Sequence, residues 1–258
     1  MGSEKQDTLF VSSLEKGMRI LAAFTKRHSE MGFLELAEAT GLEKSAAQRL
    51  INTLHKIGYL NRDLETRRYS PSLKCLELAN AYLVLDPIVQ SAMPRLVELG
   101  HKLGERVNAA RLDGTDIVYV IRIPTQLTSF AGMVVGRRLP ALTTSSGRAV
   151  IACFDPETRK HAVATWPIIQ ATPKTTLDRS RIADEVEQAA IDGYAITEGQ
   201  NIMNEIGIAA PIFASDGRPV AAAQCSVSAL RWSIERVRSE IAPQLTEVAN
   251  SIHLPKRG

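Results

Sequence analysis

The sequence has few of the residues that mark a secreted, metal-binding or membrane-spanning protein. Its 258 residues include three cysteines, Cys75, Cys153 and Cys225, an odd and widely spaced set that argues against a disulfide framework. Neither these thiols nor the five histidines show metal-ligand spacing. No apolar run approaches the roughly 18 residues of a membrane span, and the start MGSEKQDTLF contains no apolar core of a signal peptide. We therefore expect a protein of the reducing cytoplasm, with neither a metal nor a membrane partner.

Catalytic motifs are also missing. An enzyme needs a nucleophile, a base and an orienting group, or a set of metal ligands. The turn at Ser146 and Gly147 lacks the G-x-S-x-G context, and neither a phosphate loop nor a dinucleotide fingerprint occurs. Glu185 and Glu187 fit an exposed helix face. The sequence predicts no enzymatic activity and no cofactor.

Charge and composition permit nucleic-acid binding without requiring it. The formal net charge is +3, and 45% of the residues are hydrophobic, which is ordinary for a globular protein. The length suits a small domain followed by a medium one. Between residues 44 and 68 basic side chains outnumber acidic ones, so any contact with nucleic acid is expected there.

The strongest pattern lies between residues 11 and 58. An amphipathic helix over 11–25 precedes a short helix over 33–40 and a longer one that ends at Ile57. Helices that cross steeply need a small residue at their contact and a glycine where the chain reverses, and Ala37 and Gly41 supply them. This spacing predicts a helix-turn-helix, although a solvated helical hairpin is the alternative. The second helix would read DNA with its polar outer face, which carries Lys44, Ser45, Gln48, Arg49 and Asn52.

A β-hairpin and a linker helix follow. Extended runs over 59–62 and 67–71 flank a polar turn, which predicts the wing of a winged helix-turn-helix over residues 1–71. Arg67 and Arg68 would contact the DNA backbone or the minor groove, unless they are merely solvated. An apolar stripe over 72–86 predicts a linker helix that needs a partner, either in a dimer or in the first domain.

Residues 87–258 predict a larger α+β domain. A helix over 87–104 leads into two hairpins, over 107–123 and 209–227, each with Asp-Gly in its turn. The remaining pattern predicts an extended run near 129–135 and helices over 146–153, 155–164, 179–192 and 231–253. We expect an antiparallel sheet covered by helices on one side.

The order of these elements resembles the IclR family of bacterial regulators from about Val11 to Ile252. In the first domain the shared motifs are SLEKGMRIL at 13–21, LA at 36–37, GLEKS at 41–45, RL at 49–50 and GYL at 58–60. In the larger domain they are GRRLP at 136–140, SGRA at 146–149, DGY at 192–194 and AAPIF at 209–213. The resemblance implies a GAF-like effector domain that binds a small metabolite, and dimers that can pair into tetramers on operator DNA.

The resemblance also implies which residues contact the effector: Ser145, Ser146, Gly147, Thr197, Gly207, Gln224 and Ser226. Family members that bind glyoxylate or pyruvate carry an acidic residue, a cysteine and a serine where this chain has Thr197, Gly207 and Gln224. A different ligand is therefore expected, and an aromatic carboxylate is one option. The hydroxyl-rich turn before Gly147 begins a helix. The free N–H groups at the start of a helix suit a carboxylate, although plain helix capping explains the turn equally.

Further candidates come from the residues themselves. An apolar wall of the effector site could be formed by Phe130, Met133, Leu139, Leu142, Ile202 and Met203, although such residues also build ordinary cores. Arg122 and Arg148 could pair with an anion, although a surface ion pair is the favoured interpretation for each. We interpret the chain as a DNA-binding regulator of a catabolic operon, with repression favoured and activation the alternative. A protein-interaction module that does not bind DNA is a more distant alternative.

Overall fold

The structure is a computed structural model that describes residues 9–25, 28–125 and 134–252. It divides after Tyr82 into two compact units, and each unit is considered by itself. The division falls between the sequence-based boundaries at residues 71 and 86. Over the described ranges, no helix combines the length and the apolar character needed to cross a bilayer.

The first unit is a winged helix-turn-helix. Its elements are α1 (Ser12–Ala22), α2 (Phe33–Thr40), α3 (Lys44–Lys56), β1 (Leu60–Arg62) and β2 (Tyr69–Pro71), with the two strands antiparallel. Gly41 ends α2 in the left-handed region with φ 64°, which a glycine adopts without strain. The three helices and the wing share one small core of Ile20, Met31, Leu36, Ala37, Ala47, Ile51, Leu54 and Leu60.

A helix with no buried residue follows the wing. This helix, α4 (Cys75–Leu85), exposes its large apolar side chains Leu76, Leu78, Tyr82, Val84 and Leu85. It ends at the buried Asp86, whose carboxylate accepts a hydrogen bond of 2.8 Å from the Ile88 N–H and caps the next helix. Within a single chain, α4 therefore presents more apolar surface than an ordinary solvent-exposed helix.

The second unit is built on a six-stranded sheet in the order β5-β4-β3-β8-β7-β6, with every neighbouring pair antiparallel. Its strands are β3 (Arg106–Asp113), β4 (Asp116–Ile123), β5 (Arg138–Pro140), β6 (Ala195–Glu198), β7 (Glu205–Phe213) and β8 (Pro219–Ser228). Its helices are α5 (Pro87–Leu103), α6 (Ser145–Ile151), α7 (Pro156–Thr165), α8 (Arg179–Asp192), α9 (Ile234–Arg236) and α10 (Ala242–Ser251). Both predicted hairpins are present.

Helices cover both faces of this sheet, so the expectation of a one-sided cover is wrong. On one face, Ile208 and Ala221 share a core with residues of α5 and α10. On the other face, Ala209 and Ala222 share a core with residues of α6, α7 and α8. The physical reason is that β7 and β8 carry apolar residues at consecutive positions, so both of their faces must be buried.

Two further details differ from the sequence-based expectation. The edge strands β5 and β6 are three and four residues long, too short to give an alternating pattern. The predicted helix over 231–253 is broken into α9, a π-helical turn over Val237–Ile241, and α10. Pro243 near the start of α10 has no N–H to continue a regular helix, which accounts for the break. The extended run near 129–135 lies largely outside the described residues.

Candidate DNA-binding surface and effector cavity

The outer face of α3 is exposed, and its polar side chains have no partner among the residues that the structure describes. Lys44, Ser45, Gln48, Arg49 and Asn52 are all exposed, and their side chains make no hydrogen bond or ion pair with any described residue. The opposite face of the same helix is anchored, because Ala47, Ile51 and Leu54 lie in the core of the first unit. The helix is therefore held rigidly while its polar side chains remain available to phosphates and base edges.

The wing lies beside this face. Arg67 is exposed, with its backbone in the left-handed region at φ 55°. A surface cleft brings Arg67 together with Gln48 of α3 and with Arg62 and Thr66 of the wing. Arg62, which the sequence analysis missed, is exposed and also stacks over the Tyr69 ring, with its guanidinium carbon 5.7 Å from the ring centroid. The arrangement places positive charge of the wing next to the recognition helix.

Arg68 is held differently from Arg67. Its guanidinium donates to Glu35 at 2.6 Å and to the Glu30 carbonyl at 2.9 Å. Glu35 also accepts a hydrogen bond of 2.6 Å from the Gly32 N–H at the start of α2. That backbone hydrogen bond, followed by the charge of Arg68, lowers the pKa of Glu35. Arg68 thus ties the wing to α2, and the structure favours a positioning role over the predicted DNA contact.

The second unit contains a cavity on the sheet face that α6 covers. It encloses about 30 Å³ and is partly open to solvent. We call it the effector cavity. Its lining consists of Arg106, Tyr119, Arg122, Arg137, Leu139, Thr144, Ser145, Thr197, Gln200, Asn201, Ile202, Glu205, Gly207 and Gln224.

Four of the predicted effector residues converge at Gly207. Thr197 lies directly opposite Gly207 in the β6–β7 pair. A Cβ placed on Gly207 would lie 3.0 Å from Ser145 Oγ, 3.2 Å from Gln224 Nε2 and 3.3 Å from Thr197 Oγ1. The missing side chain therefore leaves a small polar recess whose walls can donate hydrogen bonds to a carboxylate.

A chain of buried hydrogen bonds fixes the side chains beside this recess. Asn108 Nδ2 donates to Gln224 Oε1, and Gln224 Nε2 donates to Ser226 Oγ at 2.6 Å. Asn108 Oδ1 in turn accepts from Arg122 Nε at 3.3 Å. Because these residues occupy neighbouring strands, the sheet register itself sets the orientation of the Gln224 amide and of the Arg122 guanidinium.

Positive charge is concentrated in the effector cavity. Arg106 forms an ion pair with Glu205. Arg122 stacks over Tyr119, with its guanidinium carbon 4.2 Å from the ring centroid, and its buried Nη1 has no hydrogen-bond partner among the described residues. Burial lowers the pKa of Arg122, and the nearby charges of Arg106 and Arg137 lower it further. Arg122 therefore lines the cavity, and the alternative of a surface ion pair is wrong.

Several predicted effector residues lie elsewhere. Met203 and Ser226 line a neighbouring cavity that shares Arg106, Ile202 and Glu205 with the effector cavity. Leu142 belongs to the core, and Ser146 is buried beside it. Phe130 and Met133 lie outside the described residues.

Gly147 also lies away from the effector cavity, and its role is in packing. A Cβ there would lie 2.2 Å from the Ala141 carbonyl oxygen. The Thr144 hydroxyl accepts a hydrogen bond of 3.0 Å from the Gly147 N–H, so helix capping explains this part of the serine-rich turn. Ser145 and Thr144 are the residues of the turn that reach the cavity.

Arg148 is a buried clamp and not a surface residue. It is 1% exposed, donates from Nε to the Leu142 carbonyl at 2.7 Å, and forms an ion pair with Glu185 of α8. It thereby joins the start of α6 to α8 behind the serine-rich turn. The alternative of a surface ion pair is therefore wrong for Arg148 as well.

The charged part of the effector cavity is not predicted by the sequence patterns. Arg106, Tyr119, Arg137, Gln200, Asn201 and Glu205 all line it. Arg106 and Asn108 alternate with apolar residues at the start of β3, which is a usable signal for a polar site on one face of the strand. The residues that they meet on β8, β7 and β4 depend on the register of the sheet, which local patterns do not specify.

Comparisons with known proteins agree with this architecture. A family model described as the IclR helix-turn-helix domain matches residues 13–64, and one described as the bacterial transcriptional regulator IclR C-terminal matches residues 80–254. The Pca regulon regulatory protein of Pseudomonas putida is 29% identical over 248 residues, which cover 95% of this chain and 84% of that protein.

Solved structures show the same fold. A transcriptional regulator from Rhodococcus sp. RHA1 superposes with a TM-score of 0.82 and 30% identity, covering 94% of this chain and 97% of the other. An IclR homolog from Microbacterium hydrocarbonoxydans, solved in complex with 4-hydroxybenzoate, has a TM-score of 0.77 and 22% identity, covering 93% of this chain and 97% of the other.

Proposed function

Because the chain belongs to the IclR family of bacterial transcriptional regulators, we propose that it binds operator DNA and responds to a small organic acid. In this proposal α3 enters the major groove of double-stranded DNA, the wing contacts the backbone, and the acid binds in the effector cavity. Its site of action is the cytoplasm, where the chromosome lies.

The observation that carries the effector part is the convergence of polar groups on Gly207. Ser145 Oγ, Gln224 Nε2 and Thr197 Oγ1 all lie within 3.3 Å of the position that a side chain would fill. A ligand oxygen in this recess could accept hydrogen bonds from the Ser145 and Thr197 hydroxyls. The family relative that was solved with 4-hydroxybenzoate supports a carboxylate as that group, and Tyr119, Leu139 and Ile202 offer apolar surface to an aromatic or aliphatic body.

The mode of regulation follows from the same architecture. The exposed apolar side chains of α4 would be buried in a dimer, and a dimer of dimers is compatible with the same helix. Effector binding would change the relative geometry of two recognition helices and hence the half-site spacing that they fit. We favour repression of a catabolic operon, because occupying a promoter requires no contact beyond that to DNA. An activator would raise transcription from a reporter carrying the same operator.

A mobility-shift titration against the DNA immediately upstream of the gene tests the proposal. The titration is run at two salt concentrations, with and without candidate organic acids. We expect saturable binding that weakens with salt, because phosphate contacts release counterions. We also expect at least one acid to change the affinity for the operator. Binding that is absent at low salt, under any ligand condition, would contradict the choice of operator and favour an interaction module.

A glycine substitution tests the location of the effector. Gly207→Ala fills the polar recess and should weaken acid binding about tenfold or more, since its Cβ takes the space of a ligand atom. Gly100→Ala is the matched control, because its Cβ would lie 3.3 Å from Ile123 Cγ2, among apolar residues and not in the effector cavity. Equal loss of acid binding in both variants would indicate general loosening of the unit and not a ligand site at Gly207.

A further inference from the structure

We propose that the ion pair between Asp86 and Arg111 is the joint through which effector binding is transmitted to the linker helix α4. In this role both are positioning residues. They touch neither the DNA nor the effector, and they fix the end of α4 to the strand that carries part of the cavity wall. This inference rests on the proposed function and specifies how the effector cavity controls DNA binding.

The last turn of α4 is held by the second unit. The chain divides after Tyr82, so α4 begins in the first unit and ends in the second. Leu83 packs against the core that α5 and α10 share with the sheet. The Val84 carbonyl accepts a hydrogen bond of 2.5 Å from Gln90 Nε2 in the first turn of α5. The end of α4 therefore moves together with α5 unless these contacts break.

Asp86, the residue between α4 and α5, is tied both to a helix and to a strand. Its side chain is 1% exposed, and Oδ1 accepts hydrogen bonds from the Ile88 N–H at 2.8 Å and the Val89 N–H at 3.4 Å. Its other oxygen, Oδ2, accepts from Arg111 Nη1 of β3. A helix cap needs one acceptor oxygen, which asparagine supplies as well as aspartate does. The second oxygen and the charge of Asp86 therefore serve the contact with β3.

Strand β3 connects this ion pair to the effector cavity. Arg106 at the start of β3 lines the cavity, and Asn108 fixes the cavity residues Gln224 and Arg122. Side chains alternate between the two faces of a strand, so Arg106 and Asn108 share one face and Arg111 lies on the other, which α5 covers. Three residues of strand span about 10 Å. A shift of β3 at the cavity therefore displaces Arg111 and, through the ion pair, Asp86.

The sheet is irregular between the cavity and the ion pair. The register of β3 against β4 shifts between Ala109 and Ala110. As a result Val120 of β4 is an extra residue in the ladder, next to Tyr119, which lines the cavity. A β-bulge disrupts the local pairing and is common beside functional sites. The bulge therefore marks a place where β3 can shift against β4 with few hydrogen bonds to break.

The operator duplex can itself probe the joint, because coupling between two sites is reciprocal. Hydrogen–deuterium exchange of residues 106–110 is measured in the full chain, with and without a saturating duplex of the DNA upstream of the gene. In the parent chain we expect the duplex to change the exchange rate about threefold or more. In Asp86→Asn, which keeps an acceptor for the cap of α5, we expect this change to fall below about 1.5-fold while the duplex still binds.

The matched control is Asp113→Asn, because it breaks an ion pair of the same strand with Arg138 of β5, at an exposed position. It should respond to the duplex as the parent chain does. At Arg111, Arg111→Gln should lose the response, whereas Arg111→Lys keeps one charged donor for Asp86 and should restore about half of it. Simple support of the fold would lower the melting temperature of these variants and leave the response to the duplex unchanged.

The possible failures are distinguishable. If Asp86→Asn and Arg111→Gln keep the response of the parent chain, or if Asp113→Asn loses it equally, the joint is wrong and the proposed function stands. If the duplex binds the parent chain without changing the exchange of residues 106–110, the joint and the control of DNA binding by the effector cavity fail together. Thermal melting checks the fold of Asp86→Asn, and the pair Arg111→Gln and Arg111→Lys decides the question if that variant does not fold.

Discussion

The two units hold their functional side chains in opposite ways. In the first unit, Lys44, Gln48 and Arg49 are exposed on one rigid helix, and their side chains make no hydrogen bond or ion pair with a described residue. In the second unit, Asn108 and Gln224 are buried and bonded to one another across neighbouring strands. Exposed side chains can be exchanged without disturbing the fold beneath them, whereas the buried network belongs both to the wall of the effector cavity and to the sheet. This contrast predicts which substitutions change function alone and which also change the stability of the fold.

The largest effect is expected where a buried ion pair joins two helices of the second unit. Glu185→Gln leaves the buried Arg148 without its carboxylate and should lower the free energy of unfolding by about 2–3 kcal/mol. Glu187→Gln on the same helix is the control, because Glu187 is 61% exposed and its loss should cost about 0.5 kcal/mol or less. Denaturant titration measures both. Equal losses of unfolding free energy in the two variants would contradict the distinction between buried and exposed charges within this unit.

The next effect concerns the recognition helix. Arg49→Ala should weaken operator binding about tenfold or more and leave the melting temperature unchanged, because the Arg49 side chain is exposed and makes no hydrogen bond or ion pair with a described residue. Lys160→Ala removes one positive charge from the exposed face of α7 and serves as the control for a general charge effect. A fall in operator affinity that is the same in both variants would mean that net charge, and not the α3 face, governs binding.

The smallest effect is a pH dependence of the first unit. The pKa of Glu35 lies below its ordinary value, so Glu35 contributes stability that is present above about pH 4.5 and is lost as the pH falls through the lowered pKa. Glu35→Gln should speed hydrogen–deuterium exchange of residues 32–40 at neutral pH, with the difference from the parent chain shrinking below pH 4.5.

The control for this pH effect is Glu38→Gln, which changes an exposed carboxylate on the same helix that lacks the Gly32 and Arg68 contacts. It should match the parent chain throughout. A difference for Glu35→Gln that persists undiminished well below pH 4 would contradict the role of the ionised carboxylate in tying the wing to α2.

The same contrast explains how far the sequence predicts this protein. The helix-turn-helix is specified by local features, namely Ala37 at the helix contact, Gly41 at the turn and the stripe through Ile51 and Leu54. The exposed polar face of α3 follows directly from them. The hairpins of the second unit follow from their Asp-Gly turns. These signals extend over a few residues and need no knowledge of distant contacts.

The effector cavity depends on information that short patterns lack. Arg106, Arg122 and Glu205 meet only because β4, β3, β8 and β7 lie side by side in one register, and this order is set by the packing of the whole sheet. The motif predicts that Gly147 contacts the ligand. In the structure, the missing side chain of Gly147 instead allows α6 to approach Ala141 closely. The serine-rich turn therefore predicts the neighbourhood of the cavity but not each residue of its wall.

The most direct test of the account is whether DNA and effector binding are coupled. The candidate organic acid that binds most tightly is titrated calorimetrically into the full chain, with and without a saturating operator duplex. We expect the acid affinities with and without the duplex to differ at least fivefold. By linkage, the acid must then change the operator affinity by the same factor. Identical acid affinities with and without the duplex would contradict it, because the chain would then hold two sites that do not communicate.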